Sequence, residues 1–177
     1  MSKKILAVAL AAASMAFSGV SMAGPGGTAG PTSSLDSIVT LTINGAIRIS
    51  QVANIPLGTY AADSVDVVGT SEACVSRNLA GNYNVTVTSA NGSFALAGTP
   101  LALATTIPYS VAWRTGANPY DTLAYGTPSA SYVADSNTLA ACVAADQKLQ
   151  VTVPFAGMNT SEAGDYQDTL TVLVSPL

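Results

Sequence analysis

The sequence predicts an all-β fold, an antiparallel sandwich of short strands in one domain. Three observations carry that prediction. Apolar residues recur at every second position in run after run, as in Tyr83, Val85, Val87 and in Leu149, Val151, Val153. This is the period of a strand with one buried and one wet face. Turn residues such as Asn44-Gly45 and Asn91-Gly92 separate the runs, and Asn-Gly is a strong turn signal because both residues tolerate positive φ. Charged residues make up only 9% of a chain that is 49% apolar, the reverse of the composition that leaves a chain disordered.

Residues 1–23 have the three parts of a secretory signal peptide. Lys3 and Lys4 form the charged start, Ile5 to Phe17 the apolar stretch, and Ser21-Met22-Ala23 the small-residue cleavage site. The apolar stretch falls short of the roughly 20 residues that span a bilayer. The expectation is an exported chain whose mature form is not inserted in a membrane. Cleavage leaves about 154 of the 177 residues, enough for one domain with a real core.

The mature chain opens with a Gly/Pro-rich tether, Gly24 to Ser34, whose composition gives it nothing to pack. From Leu35 the pattern alternates, with Leu35, Ser37, Val39, Leu41 and Ile43 on one parity and Asp36, Ile38, Thr40 and Thr42 on the other. Asn44-Gly45 breaks the run, and Ile47 and Ile49 resume it. Val65, Val67 and Gly69 suggest a strand before Cys74. Tyr83–Thr88 is a strand, and Asn91-Gly92 is expected to turn it into a hairpin with Phe94–Leu96. Ile107, Tyr109, Val111 and Trp113 are in phase and read as one strand; Leu149–Val153 is another, ahead of Pro154. The last run, Gly164–Leu177, reads as a single closing strand with Tyr166, Leu170, Val172 and Val174 on its apolar face, stopped by Pro176. No segment has a clear helical period, and Thr138–Gln150 is the place least unsuited to a helical turn. Short strands at this spacing imply an immunoglobulin-like layout.

The residues exclude several function classes. The chain has 6 Lys+Arg and 10 Asp+Glu. Losing Lys3 and Lys4 leaves 4 cations against 10 acids, a net charge of −6. Arg48, Arg77, Arg114 and Lys148 are scattered along the sequence, so nothing resembles the clustered positive charge that grips phosphates. There is no histidine, which removes the commonest general base and metal ligand. Asp63/Asp66 and Asp165/Asp168 are carboxylate pairs, and Asp63, Asp66 and Glu72 lack the tight spacing of a calcium loop. The expectation is a non-enzyme with no cofactor and no metal. Cys74 and Cys142 are an even pair in an exported chain and read as one disulfide, against the alternative of two buried thiols. Trp113 and the tyrosines leave open a self-contained secreted module that binds sugar or a host surface, although the alternation around Trp113 favours a core role.

The ending AGDYQDTLTVLVSP resembles the final strand of pilins of the chaperone–usher pathway, and is nearest to the spore-coat-U-like, archaic group. Gly164 stands fourteen residues from the C-terminus, as a glycine does in such subunits. Asn54-Ile-Pro-Leu-Gly-Thr-Tyr60 and Asn82-Tyr-Asn-Val-Thr-Val-Thr88 resemble further segments of the group. Two departures are Pro176, where many pilins carry an aromatic residue, and the absence of an early cysteine.

The resemblance implies an incomplete immunoglobulin-like sandwich of residues 46–177, completed by a donated strand. A periplasmic chaperone lends that strand first; at an outer-membrane usher, another copy of the chain then replaces it. The implied donor is the segment 35–45, through Leu35, Ser37, Val39, Leu41 and Ile43. The implied acceptor groove is lined by Gly164, Tyr166, Leu170, Val172 and Val174. The alternative for Leu35–Ile43 is an ordinary first strand of its own domain. The expected location is a surface fimbrium serving adhesion or biofilm formation.

Overall fold

Tyr83, Val85 and Val87 are fully buried, and the polar residues between them are half-buried. They lie on β3 (Asn82–Ser89), at the centre of a sheet ordered β11-β3-β8, with β11 spanning Leu170–Pro176 and β8 Tyr132–Val133. A computed structural model describes residues 30–33, 37–99, 105–136, 138–139 and 145–177. The chain divides into two units, Met1–Thr42 and Ile43–Leu177. In the first, residues 37–42 form no helix or strand and are exposed. All the named strands belong to the second.

The facing sheet follows the order β1-β2-β9-β6-β7, with β1 Ile47–Ser50, β2 Val67–Arg77, β9 Gln147–Val153, β6 Ser110–Thr115 and β7 Asp121–Leu123. A third, three-stranded sheet joins β4 (Ala95–Thr99) to β10 (Asp165–Gln167) and β5 (Thr106–Pro108). All pairings within these sheets are antiparallel. Inward residues fall opposite one another: Val151 stands between Gly69 and Val111, and Leu149 between Ser71 and Trp113. The fold is an all-β, immunoglobulin-like sandwich whose core holds Trp113, Tyr83, Leu149, Val85, Val87 and Val111.

Several expectations need correction. Asn91-Gly92 does turn the chain, with Gly92 at φ 80°, but it forms a corner and no hairpin. β3 pairs with β11 and β8, while β4 pairs with β5 and β10. Asn91 holds the corner by donating its amide to the Ala95 carbonyl (2.9 Å) and the Gln167 carbonyl (3.3 Å). Ile107–Trp113 is two strands, since β5 and β6 lie in different sheets and Tyr109 sits at the crossing. The closing run is likewise split into β10 and β11, with the break at Asp168-Thr169. The described residues of Thr138–Gln150 form no helix, and the last of them belong to β9, while residues 140–144 lie outside the described residues; the one described α-helix is Phe155–Asn159, a short turn after Pro154.

A polar network spans the core end of β2 and β9. The Tyr83 hydroxyl donates to Gln147 (2.8 Å), Gln147 donates to Asp135 (2.8 Å), and Asp135 accepts the Val75 amide (2.8 Å). Burial raises the Asp135 carboxyl above its usual range and pushes the Tyr83 phenol up. Arg77 is buried too and donates to the Asn82 carbonyl. The four cations beyond the first residues all lie in paired strands, Arg48 in β1, Arg77 in β2, Arg114 in β6 and Lys148 in β9. Of these, Lys148 pairs with Glu72 across β9 and β2 (3.5 Å).

Candidate functional site

The constant-type immunoglobulin pattern places strands A-B-E-D on one sheet and C-F-G on the other. Here β1-β2-β9-β6 reproduces the first order and β3-β11 the C-F pair. No described strand takes the G place, so β11 and β10 each have an outer edge without a strand partner among the described residues. The sequence puts apolar residues on the inner parity of that edge. Leu170, Val172 and Val174 are half-buried, face Ser89, Val87 and Val85 across the ladder, and pack against the core. Leu173, on the other parity, is 57% exposed.

The far wall comes from the segment Val52–Leu57. Pro56 has no N–H to donate to a ladder, and the segment has no strand partner. It is held instead by the Ala53 amide donating to the Ser71 hydroxyl (2.8 Å) and by Ile55 and Leu57 lying on Gly69 of β2. A Cβ at Gly69 would come within 2.4 Å of Ile55 Cγ2 and 3.0 Å of Leu57 Cδ2. Glycine at this point is what lets the segment approach. Between this wall and β11 runs a groove of about 420 Å³ whose lining includes Ile55, Leu57, Leu170, Val172, Tyr109 and Asp168. A second cavity of about 500 Å³ shares Leu57 and Leu96 with the first and is lined by Gly164, Tyr166, Ile107, Val153 and Met158 among others.

One charged side chain stands on the groove-lining parity. Asp168 Oδ2 accepts the Tyr109 hydroxyl (2.6 Å) and the Ser89 hydroxyl (2.5 Å), and Oδ1 accepts the Thr169 amide (2.7 Å). Burial, and then the Asp168 carboxylate, push the Tyr109 phenol well above its ordinary range.

The expected acceptor residues therefore come together in part. Gly164 and Tyr166 line the second cavity, Leu170 and Val172 the first, and Val174 packs on the core beyond them. Of the donor residues, Leu35 lies outside the described residues, as do the signal peptide and most of the tether. Ser37 is exposed, as are Val39 (91%), Leu41 (84%) and Ile43 (76%). Cys74 is fully buried and disulfide-bonded, while Cys142 lies outside the described residues. Trp113 is fully buried, so it offers no platform to a sugar. Among the described residues no group of three His, Cys, Asp or Glu side chains converges as metal ligands, and no helix is long and apolar enough to cross a membrane.

Sequence reasoning missed the wall Val52–Leu57 and the polar point Asp168. For the first, the sequence offered two aliphatics flanking a proline and the resemblance of Asn54–Tyr60 to a pilin segment, neither of which says what the segment packs on. The second was visible in principle, since Asp168 shares the even parity of Tyr166 and Leu170.

No protein-family model and no curated protein sequence matches the chain. Among solved structures, it is similar to a chain from a chaperone–tip adhesin complex described as vital for synergistic activation of CFA/I fimbriae biogenesis. The TM-score is 0.52 at 15% identity, over 74% of this chain and 42% of that one. The two share a fold. This chain spans less than half the length of that neighbour.

Proposed function

We propose that the chain is a fimbrial subunit, a structural protein that polymerises by strand addition at the β10–β11 edge. The observation that carries this reading is the edge itself: a row of backbone donors and acceptors beside a groove floored by half-buried aliphatics. An exposed edge of this kind invites another chain to pair. Main-chain hydrogen bonds supply generic affinity, and alternate side chains filling pockets supply register.

The occupant we assign is residues 35–43 of a second copy, delivered on the Gly24–Ser34 tether. The alternation there matches the groove, and Val39, Leu41 and Ile43 are exposed where apolar burial is otherwise the rule. Burying each contributes about 1.5–3 kcal/mol, which makes a junction long-lived. In this reading a periplasmic chaperone covers the same edge before an outer-membrane usher passes the subunit to the fibre. Residues 1–23 direct export, Cys74 and Cys142 form the disulfide, and the fibre serves adhesion or biofilm formation at the cell surface. Similarity of fold to a chain from a chaperone–adhesin complex supports that kind of system.

The test is deletion of Gly24–Ile43. The truncated chain is expected to accept a donor from intact copies yet fail to polymerise alone, read as loss of denaturant-resistant ladders on a gel. Normal ladders from the truncated chain alone would overturn the proposal.

A further inference from the structure

Period-two alternation guards a strand junction against slips of one residue, because such a slip turns every apolar side chain outward. It does nothing against a slip of two. The groove contains a feature that does. Asp168 is half-buried on the lining parity, and its three described hydrogen bonds leave part of its capacity of about four lone-pair sites unused. A strand laid over the groove takes water away from that remainder. A buried acceptor without a partner is costly, and more so when it is charged. The donor segment has a single polar residue in its inward phase: Ser37, among Leu35, Val39, Leu41 and Ile43.

We propose that Ser37 of the incoming copy donates its hydroxyl to Asp168, and that this pair fixes the register of the subunit junction. The inference rests on the strand-addition reading above. In either strand direction it places Leu35 and Val39 against Tyr166 and Leu170, one on each side. A slip of two residues sets an aliphatic side chain on the carboxylate and the hydroxyl on an apolar wall, leaving two polar groups unmet at once. The alternation thus selects the face, and the hydroxyl–carboxylate pair selects the position.

The experiment uses the full chain in two differently marked copies. One carries a cysteine on the outward parity of the donor (I38C or T40C). The other carries a cysteine on the outward parity of the edge (D165C, Q167C, T169C or T171C). The expected pattern is 38–167 with 40–165 for antiparallel strands, or 38–169 with 40–171 for parallel strands. Each is expected to exceed the link two residues away by about tenfold, the factor that corresponds to about 1.4 kcal/mol. S37L in the donor should reduce that preference about tenfold, and S37T should keep it. Ser37 is exposed in the free chain, so its variants leave the fold intact.

The slipped sets, 38–169 with 40–167 or 38–167 with 40–169, would overturn the inference. So would equal links at all four edge positions, or S37L behaving as wild type. No link at any position from a chain that stays monomeric would overturn the strand-addition reading instead.

Discussion

Gly69→Ala tests whether the groove is built as described. A Cβ at this position would stand 2.4 Å from Ile55 Cγ2 and 3.0 Å from Leu57 Cδ2, separations that force the Val52–Leu57 segment to move. Gly69 is buried within β2 and has no positive φ, so alanine fits the backbone and recovers roughly 0.5–1 kcal/mol of chain entropy. Against that gain, overpacking costs roughly 1–3 kcal/mol. The expected net loss is about 1–2 kcal/mol, or a fall in Tm of roughly 3–8 °C for a domain of this size.

Ile55→Ala removes the obstruction. Alone it should cost about 1–3 kcal/mol, below the range for a fully buried isoleucine because Ile55 is half-buried. The double variant should be more stable than the sum of the two losses by at least about 0.5 kcal/mol, the coupling expected of residues in contact. Urea denaturation followed by Trp113 fluorescence measures all four corners, since Trp113 is the single tryptophan and is fully buried. Additive losses, or a Gly69→Ala chain as stable as the parent, would refute this placement of the wall.

Three further outcomes are expected. In cycles pairing each donor substitution with a substitution of the groove residue it would face, Val39→Ala and Leu41→Ala should couple strongly and Ile38→Ala should not, as judged by the denaturant resistance of the proposed assembly. Gln147→Leu should cost about 1–3 kcal/mol, because it strips the Tyr83 hydroxyl and the Asp135 carboxylate of buried partners; chemical denaturation reads this directly. In alkali the fold should weaken over a defined window. Burial and then the Asp121 carboxylate push Tyr132 up to about 12, and Tyr83 and Tyr109 are raised as well. The folded chain therefore holds phenolic protons that the unfolded chain releases near pH 10. The stabilising contribution is complete below that pH and is lost as pH rises toward 12, which unfolding midpoints across the range will show.

Inward residues were legible in the sequence; their partners were not. Tyr83, Val85 and Val87 declare their face because the pleat has a period of two and one side meets water. The same rule hid both sheet crossings. At Tyr109 and at Asp168-Thr169 the chain moves between sheets that wall one interior, so inward parity runs through the break unchanged. Asn91-Gly92 signals a turn through its own torsional freedom, which carries no information about what the following strand pairs with. Phe155–Asn159 is too short to express a helical period. At the groove, Leu170 and Val172 were legible as an apolar face, but Ile55 and Leu57 reach it through a glycine on another strand, a relation that exists only in three dimensions.

The placement of the four cations has a consequence for resistance to proteases. Trypsin-like proteases cut after Lys or Arg and must first draw an extended stretch of chain into their cleft. Beyond Lys3 and Lys4, every such residue is hydrogen-bonded into a strand, and Arg77 is buried as well. The described loops carry no cleavable bond of this class. Digestion must wait for strands to separate, so its rate becomes a gauge of how often the sandwich opens, and a strand added at the β11 edge should slow that clock.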